Sequence, residues 1–386
     1  MRDLEAELRE LADRGLLRQR RCLEGAQGAR VEVDGRRFLS FASNDYLGLA
    51  ADPRLVEALI DGARRYGVGA GASHLIVGHH RAHHALEERL AAFTGFARAL
   101  LFGSGYAANL AIVSLLADEG VELFADRLNH ASLNEAMRLS RVRFHRYAHL
   151  DVEALSRLLE ASRAPERAVL TDSVFSMDGD LAPLDRLAQL CARHGAWLVV
   201  DDAHGFGVLG AQGRGAAAHF ALARERLIYM GTLGKAAGVS GAFVAGPAQM
   251  IELLIQRARP YVYTTASPPA LAHALLKSID LIETEQWRRE HLEQLITRLK
   301  DRLAGVNCWP LLASPTAIQP LIVGESTAAT ALAARLSAQG ILVPAIRPPT
   351  VRADSARLRI SLSAAHRPQD VDALAAALHL LSRSGS

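Results

Sequence analysis

The chain has 386 residues, half of them hydrophobic, and a formal net charge of +3 at pH 7. This length allows two domains with a large core, and the mixed charges form no basic tract of the kind that binds nucleic acid. No apolar run could span a bilayer and the charged N-terminus lacks a signal-peptide core, so we expect no membrane association. The three widely spaced cysteines favour free thiols in a reducing cytoplasm.

The first 45 residues predict an N-terminal arm. Residues 1–25 have a helical pattern rich in arginine, and a hairpin follows with Asp34-Gly35 as its turn. Asp-Gly between two alternating segments is a strong hairpin signal. Asp52-Pro53 then predicts the start of a helix that ends near Tyr66.

A histidine cluster comes after the glycine-rich segment at residues 67–73. His79, His80, His83 and His84 include pairs four residues apart, which share one face of a helix as metal ligands can. However, such pairs also occur in ordinary polar helix starts, and no third ligand is evident from the pattern. We therefore expect no metal site.

Residues 46–280 are expected to form a large α/β domain. Strand-like and helix-like segments alternate there, which predicts a mostly parallel sheet covered on both faces. The predicted strands are 99–102, 121–125, 142–147, 168–171, 197–201, 227–231 and 242–245.

Residues 281–386 are expected to form a smaller α+β domain, which is a common domain size. A single long helix over 269–303 is predicted to lead into it. Three strands then alternate with two helices, at 318–323, 327–339, 341–345, 357–361 and 369–381.

The most informative stretch is 196–241, where two apolar strands each end in reactive side chains. The first ends in Asp201-Asp202-Ala203-His204 and the second is followed by Lys235. Because ligands of open α/β sheets bind at the carboxyl ends of strands, these groups should face one crevice. Adjacent strand residues point to opposite sides, so Asp201 and Asp202 should not both face it, and the pattern does not choose between them.

Lysine usage makes Lys235 a candidate for covalent chemistry. The chain has 44 lysines and arginines together, yet only Lys235, Lys277 and Lys300 are lysine. Lys277 and Lys300 lie in charged helical patterns, whereas Lys235 lies among small residues after a strand. Only lysine can form a Schiff base, since arginine is not deprotonated in proteins. The alternative is an ordinary loop lysine.

Three further positions fit a site for pyridoxal phosphate. The turn at Gly105-Tyr106 joins a strand end to a helix start, where free N–H groups favour an anion such as phosphate. His130 is either a helix-start residue or an aromatic platform, and Ser176 is either a turn residue or part of the site. The cofactor requires an amine, a carboxylate, a stacking group, a donor and a phosphate cup. The candidates are Lys235, Asp201, His130, His204, Thr232 and Gly105.

A second glycine pattern suggests a nicotinamide cofactor instead. Gly205, Gly207 and Gly210 match the spacing of the dinucleotide fingerprint. That fingerprint must open a helix, but Gly213 and Gly215 follow almost immediately, so no helix should begin there. We therefore do not expect a nicotinamide enzyme.

Five segments resemble the α-oxoamine synthases, a branch of the fold-type-I pyridoxal-phosphate enzymes. The resemblance implies an aspartate-aminotransferase-like fold, with a large mostly parallel-sheet domain and a smaller C-terminal α+β domain. The matching segments are 43–49, 126–132, 174–180, 201–207 and 232–235.

The same resemblance implies a role for each site residue. Lys235 would hold the cofactor, Asp201 would pair with its ring nitrogen, and His130 would stack on its ring. These three and His204 would be the catalytic residues. The cofactor would also contact Gly105, Tyr106, Ser176, His204 and Thr232, and the substrates would contact Arg18, His130, Thr350 and Arg359. Arg20 and Arg21 are alternatives to Arg18.

Residues 317–324 and 345–351 resemble the branch of this family that acts in biotin biosynthesis. This implies a decarboxylative condensation of L-alanine with pimeloyl-CoA or a pimeloyl-acyl carrier protein. It also implies a cytoplasmic homodimer with a shared active site, which Thr264-Thr265 would reach from the neighbouring subunit. The alternatives are an enzyme that uses glycine or serine with another acyl thioester, and a non-catalytic partner subunit on the same fold.

Overall fold

The computed structural model describes residues 3–14, 16–18, 20–117, 120–306 and 308–383. The chain forms two compact units. The sheet unit comprises Asp45–Ser176 and Asp180–Glu290, and the terminal unit comprises Met1–Asn44, Met177–Gly179 and His291–Ser386. The N-terminal segment thus groups with the C-terminal residues, whereas the sequence suggested a separate arm. Among the described residues, no helix has the length and apolarity needed to cross a membrane.

The strands, in chain order, are β1 (Arg30–Val33), β2 (Arg36–Ser40), β3 (Arg98–Phe102), β4 (Val121–Asp126), β5 (Phe144–Tyr147), β6 (Glu166–Asp172), β7 (Trp197–Asp201), β8 (Leu227–Thr232), β9 (Ala242–Gly246), β10 (Ile318–Gly324), β11 (Ile341–Leu342), β12 (Ala345–Ile346) and β13 (Ala356–Ser361).

The helices, in chain order, are α1 (Leu4–Asp13), α2 (Pro53–Tyr66), α3 (Arg81–Thr94), α4 (Gly105–Leu116), α5 (Ala131–Ser140), α6 (Val152–Ala161), α7 (Leu184–His194), α8 (Ala216–His219), α9 (Ala248–Arg257), α10 (Arg259–Val262), α11 (Pro269–Thr284), α12 (Gln286–Leu303), α13 (Ser326–Ala338) and α14 (Pro368–Arg383). A π-helical turn spans His74–Gly78 and a 3-10 turn spans Ala211–Gly213.

The sheet unit is built on a seven-stranded sheet with the order β3-β9-β8-β7-β6-β4-β5. The pairs among β5, β4, β6, β7 and β8 are parallel, and β9 is antiparallel to both of its neighbours. Every residue of β4 and β9 is buried, which explains the nearly continuous apolar runs in the sequence. The predicted mostly parallel sheet is confirmed.

The register of the central strands brings their polar ends to one edge. Asp172 at the end of β6 pairs with Asp201 at the end of β7, and Asp201 pairs with Met230 on β8. Since parallel strands present their carboxyl ends together, the groups that follow β6, β7 and β8 lie beside one another.

The terminal unit contains two small sheets. The predicted hairpin is confirmed: β1 and β2 are antiparallel, and Asp34 and Gly35 both have positive φ angles, of 49° and 73°, as a tight hairpin turn requires. Strand β2 also pairs with β11, and the second sheet has the order β10-β13-β12.

The prediction of one helix over 269–303 is wrong, because Glu285 leaves helical geometry, with φ −96° and ψ 65°, and separates α11 from α12.

His149 connects the last residue of β4 to the loop that precedes α7. Its Nδ1 lies 3.0 Å from Asp126 Oδ1 and its Nε2 lies 2.9 Å from Asp180 Oδ2. Two donating nitrogens require an imidazolium. Although burial opposes this charge, the hydrogen bonds to Asp126 and Asp180 raise the pKa of His149 to about 10. The charged ring therefore ties the end of β4 to the segment before α7.

We expect His149→Gln to lower the free energy of unfolding by about 1–3 kcal/mol below pH 6.5, because hydrogen bonds to charged groups are lost. The folded-state pKa of about 10 lies above the ordinary value of 6.5. The stabilisation is thus complete below the ordinary value and is lost as the pH rises toward the folded value. Chemical denaturation across this pH range measures the effect. The exposed His219→Gln is the control, and an equal loss in both variants would contradict the assignment.

Candidate active site

A cavity of about 200 Å³ opens in the sheet unit at the carboxyl ends of the central strands. Most of its lining residues are polar or titratable, and they come from β6, β7, β8, the turns that follow β7 and β8, and the starts of α4 and α5. The lining residues are Gly105, Tyr106, Asn109, His130, Ser132, Asp172, Asp201, Ala203, His204, Met230, Thr232 and Lys235. The fold thus collects most of the predicted site residues in one place.

Lys235 lies on the tight turn that follows β8. The turn is closed by hydrogen bonds from Leu233 N–H to the Gly241 carbonyl, at 2.8 Å, and from Gly238 N–H to the Lys235 carbonyl, at 2.9 Å. Gly238 has a φ of +73°, and a Cβ there would lie 2.7 Å from the backbone of Leu49 and Ala50. Only glycine therefore fits this turn without strain.

A chain of polar contacts runs from the Lys235 amine into the protein. Lys235 Nζ lies 2.8 Å from His204 Nε2, and His204 Nδ1 lies 2.6 Å from the Tyr46 hydroxyl. Tyr46 is fully buried. In a neutral imidazole, one ring nitrogen donates a hydrogen bond and the other accepts one. The direction of the hydrogen bond between Tyr46 and His204 Nδ1 therefore determines whether Nε2 donates to the Lys235 amine or accepts from it.

The structure distinguishes the adjacent carboxylates Asp201 and Asp202. Asp201 lines the cavity, accepts a hydrogen bond at Oδ2 from Asn109 Nδ2 at 2.7 Å, and accepts another at Oδ1 from Ala203 N–H at 3.0 Å. Asp202 points to the other side, as strand alternation requires. It accepts hydrogen bonds from the hydroxyls of Ser173 and Tyr229 and from Ala216 N–H.

Asp202 is a structural residue by this geometry. Its side chain is fully buried. Burial, only partly offset by the three donors, raises the pKa of Asp202 to about 7. Its three hydrogen bonds anchor the turn that follows β7, so Asp202 holds in place the segment that carries His204.

His130 forms one wall of the cavity at the start of α5. Its backbone N–H donates to both carboxyl oxygens of Asp172, at 3.1 and 3.2 Å, and its Nδ1 lies 2.8 Å from Ser132 Oγ. Burial lowers the pKa of His130, an effect opposed by the charge of Asp201. The lowered pKa favours a neutral ring, and that ring lines the cavity.

Asp172 and Asn109 line the cavity, but the sequence patterns did not predict them as site residues. Burial, followed by the nearby charge of Asp201, raises the pKa of Asp172 well above its usual range. The sequence did contain a signal for Asp172, because this residue ends an apolar strand just as Asp201 does. Asn109 lies inside an apolar helix pattern, and its amide reaches both Asp201 and Ser132. No local pattern reveals that role.

One end of the cavity is suited to an anion. Helix α4 begins at Gly105, after Ser104 caps it by accepting a hydrogen bond from Ala107 N–H at 3.2 Å. The first turn of a helix presents unpaired N–H groups with a partial positive charge. The Tyr106 hydroxyl donates to Glu135, at 2.8 Å, and Thr232 Oγ1 donates to the Gly241 carbonyl, at 3.1 Å.

The remaining predicted residues lie elsewhere. Ser176 is half-buried in the turn after β6 and does not line the cavity. Arg18, Thr350 and Arg359 belong to the terminal unit, where Arg18 and Thr350 are exposed and Arg359 is buried on β13. The Arg359 guanidinium donates to Asn44 Oδ1 at 3.1 Å and to Ser361 Oγ at 2.9 Å.

Comparisons with known proteins identify the family of this chain. The family model "Aminotransferase class I and II" matches residues 36–378. The curated 8-amino-7-oxononanoate synthase of Nitrosomonas europaea is 60% identical over 384 residues, which is 99% of each chain. Seven other curated proteins with this name are 54 to 58% identical.

Two solved structures show the same fold. Serine palmitoyltransferase from S. paucimobilis with bound PLP superposes with a TM-score of 0.92 at 27% identity, covering 99% of this chain and 97% of that one. The 8-amino-7-oxononanoate synthase of Francisella tularensis has a TM-score of 0.77 at 32% identity, with coverages of 90% and 97%. The predicted fold class and the predicted cofactor are confirmed.

The different environments of Asp201 and Asp202 predict that the same substitution weakens cofactor binding strongly at one position and little at the other. We expect Asp201→Asn to weaken the binding of pyridoxal phosphate to the apoprotein about 10- to 150-fold, because a charged hydrogen bond is worth about 1.5–3 kcal/mol. Asp202→Asn should change it less than about threefold, since an amide can keep the bonds to Ser173, Tyr229 and Ala216. Titration with the cofactor, followed by absorbance, measures both; a reversed order would refute the assignment.

Proposed function

Because the chain belongs to the class I and II aminotransferase family and matches 8-amino-7-oxononanoate synthases over nearly its whole length, we infer that it is a pyridoxal-phosphate-dependent acyltransferase of biotin biosynthesis. It condenses L-alanine with a pimeloyl thioester and releases carbon dioxide, the free carrier and 8-amino-7-oxononanoate. The observation that carries this inference is the 60% identity across 99% of both chains. The resemblance to the α-oxoamine synthases is confirmed.

The cavity fits the cofactor. It offers an amine at Lys235, a buried carboxylate at Asp201, a flat ring at His130 and the helix start at Gly105 within one space of about 200 Å³. These groups match the aldehyde, ring nitrogen, ring face and phosphate of pyridoxal phosphate, and we assign them to those partners. When bound, the cofactor supplies an electron sink for negative charge at the α-carbon of the amino acid.

Lys235 performs the proton transfers in this proposal. With the cofactor and the amino acid bound, the Lys235 amine would take the proton from the substrate α-carbon. The same amine would later return a proton to that carbon. His204 Nε2, 2.8 Å from Lys235 Nζ, orients the amine, and the buried Tyr46 holds the imidazole from its other side. Proton transfer by a positioned group contributes about 10²–10⁴-fold to a rate.

Asp201 keeps the cofactor ring protonated in this proposal, and Asn109 keeps Asp201 in place. The carboxylate has two hydrogen bonds, from Asn109 and from Ala203 N–H, so its remaining lone pairs are free to accept a ring N–H. His130 provides the surface against the ring face. Gly105, Tyr106 and Thr232 would hold the phosphate, and Ser176 would lie near the ring hydroxyl.

The substrate contacts are assigned to the terminal unit. We assign the alanine carboxylate to Arg359, because a planar guanidinium pairs with carboxylates through two hydrogen bonds. The amide of Asn44 and the hydroxyl of Ser361 orient that guanidinium. Thr350 and Arg18, both exposed, are assigned to the acyl thioester, whose carrier is either coenzyme A or an acyl carrier protein.

Serine with a long-chain acyl thioester is the second candidate substrate pair. The superposition with serine palmitoyltransferase, at a TM-score of 0.92, is closer than that with the Francisella tularensis synthase, at 0.77. Sequence identity points the other way, at 27% against 60% for the curated synthase of Nitrosomonas europaea. Side chains rather than the backbone select the substrate, so identity decides for alanine.

We expect the purified enzyme to convert L-alanine and pimeloyl-CoA to 8-amino-7-oxononanoate with stoichiometric carbon dioxide release, measured by mass spectrometry and carbon dioxide capture. Lys235→Ala should lose the visible absorbance of the bound cofactor and at least about 10³-fold in turnover. Lys277→Ala, at a helical lysine outside the cavity, is the matched control and should keep both. Turnover with serine and a long-chain acyl-CoA, but not with alanine, would overturn the proposal.

A homodimer is part of the proposal and is supported by an exposed apolar surface. Leu75, Ile76 and Val77 are 46%, 74% and 76% exposed, and Tyr263 is 74% exposed. Their two segments are joined by an antiparallel bridge between Ser73 and Thr265. Exposed apolar clusters of this kind mark interaction surfaces. The exposed Thr264-Thr265 lies on it, as a contribution to a neighbouring site would require.

We expect the double substitution Ile76→Asp with Val77→Asp to dissociate the dimer, because it places charge on an apolar contact surface. Light scattering coupled to gel filtration measures the mass. Leu139→Asp, at a residue 61% exposed on α5, is the control and should leave the mass unchanged. A double variant that stays dimeric and fully active would exclude this surface as the interface.

A cytoplasmic location completes the proposal. Cys22, Cys191 and Cys308 are all free thiols in the described structure, which supports a reducing compartment.

A further inference from the structure

The histidine cluster at the start of α3 lies outside the cavity and has no part in the proposed reaction. His74 lies on the π-helical turn, His79 and His80 precede α3, and His83 and His84 lie in its first turn. None of them lines the cavity of about 200 Å³. Although the sequence pattern led us to expect no metal site, the fold adds a carboxylate from α3, Glu87.

Two triads in this cluster have ligand atoms within 4.8 Å of one another, namely His74-His79-His83 and His79-His84-Glu87. In the first triad, His74-His79-His83, the protein itself already provides hydrogen bonds to both ring nitrogens of His83. His83 Nδ1 accepts the His80 N–H at 3.0 Å, and His83 Nε2 lies 2.8 Å from the Ser267 carbonyl. Both ring nitrogens of His83 are therefore engaged, and the ring has no lone pair for a metal.

In the second triad, the ligand atoms are slightly farther apart than they would be around a bound metal ion. His79 Nε2 lies 4.0 Å from Glu87 Oε2. His84 and Glu87 are three residues apart, so they share one face of α3. Ligand atoms of a tetrahedral zinc site are about 3.3 Å apart, because each lies about 2.0–2.1 Å from the metal. Side-chain movements of roughly 1 Å would close the site.

Two of the three ligands are held by other groups. His79 Nδ1 lies 2.9 Å from His74 Nδ1, so a proton on His79 Nδ1 leaves Nε2 as the lone-pair nitrogen that faces Glu87. Glu87 Oε1 accepts the Leu101 N–H at 3.0 Å, which leaves Oε2 toward His79. Metal-binding histidines almost always make such a hydrogen bond through the second nitrogen.

His84 is the adjustable ligand. Its side chain is 49% exposed, and its Nε2 lies 3.3 Å from Glu88 Oε1, a surface pair four residues apart. Such pairs contribute only about 0.3–0.5 kcal/mol, so little opposes rotation of the ring toward Glu87. The exposed side of the triad also leaves room for water ligands.

We propose that His79, His84 and Glu87 bind one divalent first-row transition metal ion, with Zn²⁺ as the representative. Two imidazoles and one carboxylate suit zinc, cobalt or nickel, whereas calcium and magnesium prefer oxygen ligands. Three protein ligands leave at least one coordination position to water. The site is independent of the pyridoxal-phosphate chemistry.

The test uses tag-free holoenzyme, since an added histidine tag would itself bind metal. After treatment with a chelator and dialysis, the protein is titrated with Zn²⁺ by calorimetry, and bound metal is measured by elemental analysis. We expect about one Zn²⁺ per chain. His84→Gln and Glu87→Gln should each weaken binding at least about tenfold. Substitution with Co²⁺ should give visible absorption bands in the wild type that both variants lack.

His219→Gln, at an exposed histidine on α8, is the control for surface binding and should leave affinity unchanged. His84→Gln alters an exposed position, and Glu87→Gln keeps an oxygen for the Leu101 N–H, so both should fold with wild-type circular dichroism and cofactor absorbance. Wild type that takes up no Zn²⁺, or equal uptake by wild type and both variants, overturns the proposal.

Discussion

The site depends on the parallel register of β6, β7 and β8. Asp172, Asp201 and Met230 lie side by side in that register, and the turns that follow these strands carry His204 and Lys235. A slip of one residue in β7 would exchange Asp201 for Asp202 at the cavity. The hydrogen bonds from Ser173, Tyr229 and Ala216 oppose this slip, because a displaced Asp202 would leave buried donors without their acceptor.

The same register creates an electrostatic problem, since it brings two buried carboxyl groups together. Burial and the charge of Asp201 raise the pKa of Asp172 well above its usual range. This shift favours the neutral form of Asp172, which adds no negative charge beside Asp201. Its oxygens still accept the backbone N–H of His130, so Asp172 positions the ring that lines the cavity while Asp201 accepts from Asn109 and Ala203.

Local patterns predicted the parts of the site that depend on a single segment. The strand ending at Asp201, the turn with Lys235 and the helix start at Gly105 are all visible in the sequence, because each is a short apolar run followed by polar or small residues. The choice between Asp201 and Asp202 and the role of Asn109 were not, since they depend on contacts between β7, β8 and α4. The helix over 269–303 was predicted as continuous because no proline or glycine marks the break at Glu285.

On the proposed assignments, the cofactor contacts and the substrate contacts lie in different units of the chain. The groups assigned to pyridoxal phosphate lie in the sheet unit, whereas Arg18, Thr350 and Arg359, assigned to the substrates, lie in the terminal unit. The fold is shared with a serine palmitoyltransferase at 27% identity, so the fold alone does not determine the acyl donor. Substrate choice in this chain should then respond to substitutions in the terminal unit that leave cofactor absorbance unaltered, because the residues that line the cavity belong to the sheet unit.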